Sequence, residues 1–169
     1  MVKLACQGLV WRVRAQDAAR LRDWLMRYFP IVPGRSDLRV LQQSANRFVV
    51  AADGLVLKEA GPRPKRSRLA FGVRPPVAWL LSRRSLALLA CGIPTHEPVA
   101  WSVKRVGGLR VRDYLVTREI VGTESLIPRL DRERANRERR EETLTQLGRL
   151  TAALHRHRFG NRDMRGANI

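Results

Sequence analysis

The dipeptide Asp53-Gly54 constrains the fold of this 169-residue chain more than any other feature. It sits between two β-rich runs, Arg47 to Ala51 and Leu55 to Glu59. A two-residue connection between strands needs positive φ, which Asp-Gly adopts at low cost, so the two runs read as a hairpin. A second pair of strand-like runs, Val99 to Val106 and Leu109 to Ile120, is joined at Gly107-Gly108. A mostly antiparallel sheet follows from these two signals.

The rest of the chain is read around that sheet. Leu4 to Arg14 is expected as a strand. Gln16 to Phe29 places Ala19, Leu21, Trp24, Leu25 and Tyr28 near one helical face, and Pro30 ends it. The stretch GPRPKRSR reads as a basic loop. Pro75-Pro76 starts an inserted helix in which Val77, Leu80, Leu81, Leu88 and Cys91 recur at helical spacing, and Gly92 ends it. VGTESL enters a short helix, and Arg129 to His155 reads as one long helix. Its first half is laced with opposite charges; its second half aligns Leu144, Leu147, Leu150 and Leu154 as a buried stripe. The order predicts an α+β fold, an antiparallel lobe with one inserted helix before a helical segment. The expected divisions are an extension over 1–43, a sheet lobe over 44–120, and a partial second lobe over 121–169.

Lys and Arg total 33 against 15 Asp and Glu, a net charge of +18, and nearly all of the excess is Arg. Arg suits bidentate contact with phosphate or carboxylate, so an anionic partner is expected; genome base composition also enriches Arg. Charge alone supports only non-specific nucleic-acid binding, and Trp11, Trp24, Trp79 and Trp101 fall in apolar patterns that read as core. Cys6 and Cys91 suggest a reducing compartment and no disulfide framework. The first residues make a poor signal peptide, and Ser82-Arg83-Arg84 splits the longest apolar region, so no membrane span is expected.

Two groups carry candidate chemistry. Lys58, in the second strand of the Asp53-Gly54 hairpin, is one of only four lysines, beside Lys3, Lys65 and Lys104. A Lys there can neutralise nucleotide phosphates, or it can protect a sheet edge from aggregation. Asp163 and Asn168 form a D-x-x-x-x-N pair, with Arg165 between them. The Asp can accept a hydrogen bond from an acceptor hydroxyl, the Asn oxygen can ligate a hard cation, and Arg165 can reach a transferred phosphoryl group.

Three blocks, GIPTHEPVAW, RDYLVTREIVGTESL and LHRHRFGNRDMRGANI, occur in an order and spacing that resembles the lipopolysaccharide core kinase family, the Kdo and WaaP-type sugar kinases. The resemblance covers roughly Ser44 to Ile169 and implies a protein-kinase-like fold. It implies ATP and Mg as cofactors and a heptose or Kdo hydroxyl of the inner core, or a lipid A precursor, as acceptor. It implies Lys58 at the nucleotide phosphates, Val56 over the adenine, and Glu119 to Val121 as the hinge at the adenine edge. It implies Asp163 as the catalytic Asp with Arg165 following it, and Asn168 as the metal-binding Asn. A cytoplasmic enzyme, peripheral at the inner face of the inner membrane, is the implied setting; the basic surface suits an anionic membrane, and no specific nucleic acid is expected.

The chain departs from the family pattern in places. Asn161 replaces a His, Arg158 replaces a Gly, and the phosphate-covering turn QQSANR has no glycine, leaving Ser44 and the backbone to cradle phosphate. The inserted helix has no Glu to pair with Lys58, and Glu59 should face the other way. A pseudokinase or regulatory nucleotide-binding module is the alternative reading, and a basic nucleic-acid-binding protein the third. Because the chain ends one residue after Asn168, the sequence reads as a fragment whose transfer activity is expected to be absent.

Overall fold

The computed structural model describes residues 1–31, 35–62, 68–122 and 126–160. Its elements form two compact units, residues 1–89 with 95–120, and residues 90–94 with 121–169.

The first unit is built on a seven-stranded antiparallel sheet. Its strands are β1 (Val2–Cys6), β2 (Leu9–Val13), β3 (Arg39–Ser44), β4 (Arg47–Ala52), β5 (Leu55–Ala60), β6 (Pro98–Val106) and β7 (Leu109–Arg118), in the spatial order β1-β2-β6-β7-β5-β4-β3. The Asp53-Gly54 turn forms as the sequence demands, with φ of 48° and 71°, and Gly107 and Gly108 also have positive φ. The run from Leu4 to Arg14 is two strands rather than one. It breaks at Gln7-Gly8, where both residues have positive φ, and β1 pairs with β2 from Val2↔Val13 to Cys6↔Leu9. The division expected at residue 43 falls inside β3, and residues 1–43 supply two strands and a helix to the same sheet unit.

Helix α1 (Ala18–Tyr28) follows a 3-10 turn, Ala15–Asp17, and buries Leu21, Trp24, Leu25 and Tyr28. That i, i+3, i+4, i+7 spacing is one helical face. It packs on the sheet face that carries Trp11, Val13, Val50, Leu55, Leu57, Ala100, Tyr114 and Val116. Each of the Val and Leu side chains among them contributes about 1.5–3 kcal/mol by leaving water. Phe29 meets Trp11 and Tyr114 edge-on, with centroids 5.7 and 5.3 Å apart. Trp11 and Trp24 are core as expected, whereas Trp79 and Trp101 are only half-buried, and Trp79 lies under the Arg83 guanidinium.

Helix α2 (Arg68–Val73) begins at the end of the stretch read as a loop, and α3 (Val77–Ala90) follows Pro75-Pro76 with Gly92 in positive φ just beyond it. A fully buried ion pair, Arg110 with Asp113 on β7, anchors both. The Arg110 guanidinium donates to the carbonyls of Phe71 and Arg74 and lies 4.1 Å from the Phe71 ring centre. Asp113 accepts the Val77 amide at 2.7 Å.

The second unit holds α4 (Leu126–Arg132) and α5 (Arg137–Arg156). The single long helix expected over this region is interrupted at 133–136. Asn136 caps α5 by accepting the Arg139 amide at 3.0 Å, and Glu133 accepts from Thr143 at 2.8 Å. The charged half is solvated and carries the i, i+4 pairs Arg129–Glu133 and Arg137–Glu141. The expected buried stripe is not buried. Leu144 is 44% exposed, Leu147, Leu150 and Leu154 are half-buried, and Thr143 is the buried residue of α5.

Candidate active site

Antiparallel partners share a sheet face, so the register sorts the candidate residues by side. Lys58 pairs with Val49 on β4 and Leu115 on β7; Val56 pairs with Ala51 and Thr117. These side chains lie on the face opposite α1. Val49, Ala51 and Val56 form a second, smaller apolar cluster there. Glu59 alternates to the α1 face, where it pairs with Arg112 at 2.9 Å, as the strand period requires.

Lys58 is half-buried and, among the described residues, has no carboxylate partner. Burial first, and the Arg47 charge second, push its ammonium down to about 8. Helix α3 contains Arg83 and Arg84 and no acidic residue, so it offers no counter-charge. His96 lies near enough for the Lys58 charge to act on it. Desolvation and then Lys58 lower its pKa, while a hydrogen bond with the Arg118 backbone opposes them. Thr117 is buried on the same face, and its hydroxyl oxygen has no hydrogen-bond partner among the described residues.

Ser44 ends β3 and pairs with Arg47 across the turn Ala45-Asn46. Its hydroxyl donates to the Arg47 carbonyl at 3.3 Å, so it already serves the turn. Glu119 donates its amide to the Gly54 carbonyl at 2.9 Å and pairs its carboxylate with Arg39. Its amide is therefore already engaged in this arrangement. Val121 follows in an exposed turn that contains Gly122. Asp163, Arg165 and Asn168, and with them the expected convergence on Lys58, lie outside the described residues.

An ion network that sequence reading missed ties the start of α1 to the residue before Glu119. Buried Asp17 accepts from Arg14 and from Arg118, the latter at 2.8 Å, and Glu97 pairs with the same two arginines. The Arg14 hydrogen bond, foremost, holds the Glu97 carboxyl below its ordinary range. Arg14 and Asp17 are three residues apart, but Glu97 and Arg118 are far from them in sequence and none carries a motif, so only the strand pairing reveals the network. A groove of about 740 Å³ lies elsewhere, where β2 and β6 diverge beyond their short pairing, lined in part by Phe29, Trp101, Tyr114 and Arg105. None of the candidate residues lines it.

Among the described residues, this face fits a nucleotide better than a bare metal ion. It presents an apolar surface, a buried hydroxyl without a partner and a half-buried Lys58 without a carboxylate partner, and no group of three potential metal-ligating side chains gathers there. Among the described residues, no helix is long and apolar enough to cross a membrane. No curated protein and no solved structure matches the chain. One family model does match, over residues 83–169, and its description is Lipopolysaccharide kinase (Kdo/WaaP) family.

Proposed function

The chain belongs to the lipopolysaccharide kinase (Kdo/WaaP) family, and from that premise we propose that it transfers the terminal phosphoryl group of ATP to a heptose or Kdo hydroxyl of the lipopolysaccharide inner core. The matched residues do not include β4 and β5, so the nucleotide side of this reading rests on the sheet geometry. The observation that carries it is Lys58, a desolvated cation with no carboxylate partner among the described residues, beside an apolar patch. A cation left so is poised for an anion that arrives with the ligand.

In this reading Lys58 holds the nucleotide phosphates and Val56 packs on the adenine. The backbone from Glu119 to Val121 lines the adenine edge. Asp163 aligns the acceptor hydroxyl and takes its proton, Arg165 neutralises the moving phosphoryl group, and Asn168 supplies an oxygen ligand for Mg. ATP supplies the phosphoryl group and Mg offsets its charge. A cytoplasmic location at the inner face of the inner membrane accords with a net charge of +18 and a phosphate-rich acceptor.

The test is calorimetric titration of ATP beside a Mg-dependent transfer assay on a core oligosaccharide. Asp163→Asn is expected to lower transfer at least about a hundredfold and leave ATP affinity within about twofold, because the carboxylate acts on the acceptor. Unchanged turnover in Asp163→Asn removes it from the mechanism. A second reading, a nucleotide-binding module without transfer, is favoured by the absence of any acidic residue from α3. Mg-independent ATP binding with no turnover in the unaltered protein would select it.

A further inference from the structure

We infer that Arg47 is a second phosphate-binding cation, acting from the strand just past the β3–β4 turn in place of the glycine amides that the turn lacks. The inference rests on the nucleotide reading above and deepens it. Arg47 pairs with Ala60, and Lys58 pairs with Val49, so Arg47 and Lys58 stand on one face, one alternation apart on neighbouring strands. Along that face run Thr117 with Val56, then Lys58, then Arg47 beside Ser44 at the turn. The span from the Val56 row to the Arg47 row is four residues, about 13 Å, which suits an extended nucleoside triphosphate with its base at Val56.

Three observations favour Arg47 over the other residues of the turn. Ser44 directs its hydroxyl to the Arg47 carbonyl. The Asn46 carbonyl accepts the Gly61 amide at 2.9 Å, which fixes the turn against the end of β5. Arg47 is exposed, and among the described residues it has no ion-pair partner although Lys58 feels its charge. Nearby Asp113, on the same face and in the same cross-strand row, gives one carboxylate oxygen to Arg110 and the Val77 amide; its other oxygen is buried with no hydrogen-bond partner among the described residues, and neither pairs with Arg47. Two like charges held close without a carboxylate repel each other, and an anion between them removes that cost. A guanidinium also grips phosphate oxygens in a fork, which one backbone amide cannot do.

The experiment compares Arg47→Ala and Arg47→Gln with the unaltered chain by calorimetric titration of ATP, ADP and adenosine. A second readout is the Lys58 pKa of the unliganded protein, from NMR of reductively methylated lysine. ATP and ADP affinity is expected to fall roughly tenfold in both variants, the worth of one charge-assisted hydrogen bond, with adenosine affinity unchanged. The Lys58 pKa is expected to rise in both. Variants that bind ATP as tightly as the unaltered chain overturn this inference and leave the nucleotide reading intact. Equal losses for ATP and adenosine also overturn it, because they mark a distorted sheet. An unaltered chain that binds no ATP overturns both.

Discussion

A lysine held near pKa 8 changes charge within the range of ordinary buffers. Its cationic form is the one that attracts phosphate, so ATP affinity is expected to fall as pH rises through about 8. Binding near that pH should take up a proton, seen as an enthalpy that changes with buffer. The same lysine weakens the fold. Its folded pKa, about 8, lies below the ordinary 10.5, so the unfolded chain holds the proton more tightly. The penalty is full below pH 8 and disappears as pH rises towards 10.5. Lys58→Met should therefore raise stability at pH 7 by about 1–3 kcal/mol while abolishing the phosphate contribution to binding. Denaturant melts at pH 7 and pH 10 check the sign, since the gain must shrink at the higher pH. A variant less stable at pH 7 would mean that Lys58 has an anionic partner after all.

Among the elements, the connection from α2 to α3 depends on one buried pair. Arg110 and Asp113 are both almost fully enclosed, and together they satisfy two carbonyls and one amide of that connection. Asp113→Ala leaves an unpaired guanidinium in the interior, and a loss of about 3–5 kcal/mol is expected, read as a lowered unfolding midpoint. Asp113→Asn keeps an acceptor for the Val77 amide and should lose less. This pair was not legible in the sequence, because an Arg and an Asp three apart on a strand predict opposite faces. The register shift between Lys104 and Arg105 on β6 brings them together. The hairpin at Asp53-Gly54, the pair joined at Gly107-Gly108, and the ends of α3 were legible, because each is fixed by local backbone chemistry. What escaped notice was non-local. Strand β3 is exposed along its whole length and shows no apolar alternation, and the break before α5 is set by the Asn136 cap inside a run of charges. Lys58 could be picked out by its rarity, but its lack of a counter-ion among the described residues needed the register.

For the whole molecule, residues 1–43 are part of the sheet unit rather than an appendage. Removing residues 1–30 would strip Trp11, Leu21 and Leu25 from the core that covers Leu55, Leu57 and Val116. Such a deletion is expected to lose cooperative unfolding, as followed by near-ultraviolet circular dichroism. The net charge of +18 should bring the protein to anionic vesicles. That binding should weaken between about 0.01 and 0.15 M salt, as the Debye length falls from about 30 to 8 Å; co-sedimentation measures it. Binding indifferent to salt would point to an apolar contact instead. Helix α1 also reaches the tip of the β4–β5 hairpin. Trp24 donates to the Ala52 carbonyl at 2.9 Å, Arg20 to the Asp53 carbonyl at 2.8 Å, and the Tyr28 hydroxyl to the Asp53 carboxylate at 2.7 Å. The Gly54 carbonyl in turn accepts the Glu119 amide. In deuterated water, that proton can exchange only when the tip lifts away from it. Trp24→Phe, which keeps the ring and loses the donor, should therefore speed deuterium uptake at Glu119 and leave the amides of Leu57 and Val116 slow. A single slow proton at the end of β7 would then time how often the amino-terminal helix releases its hold.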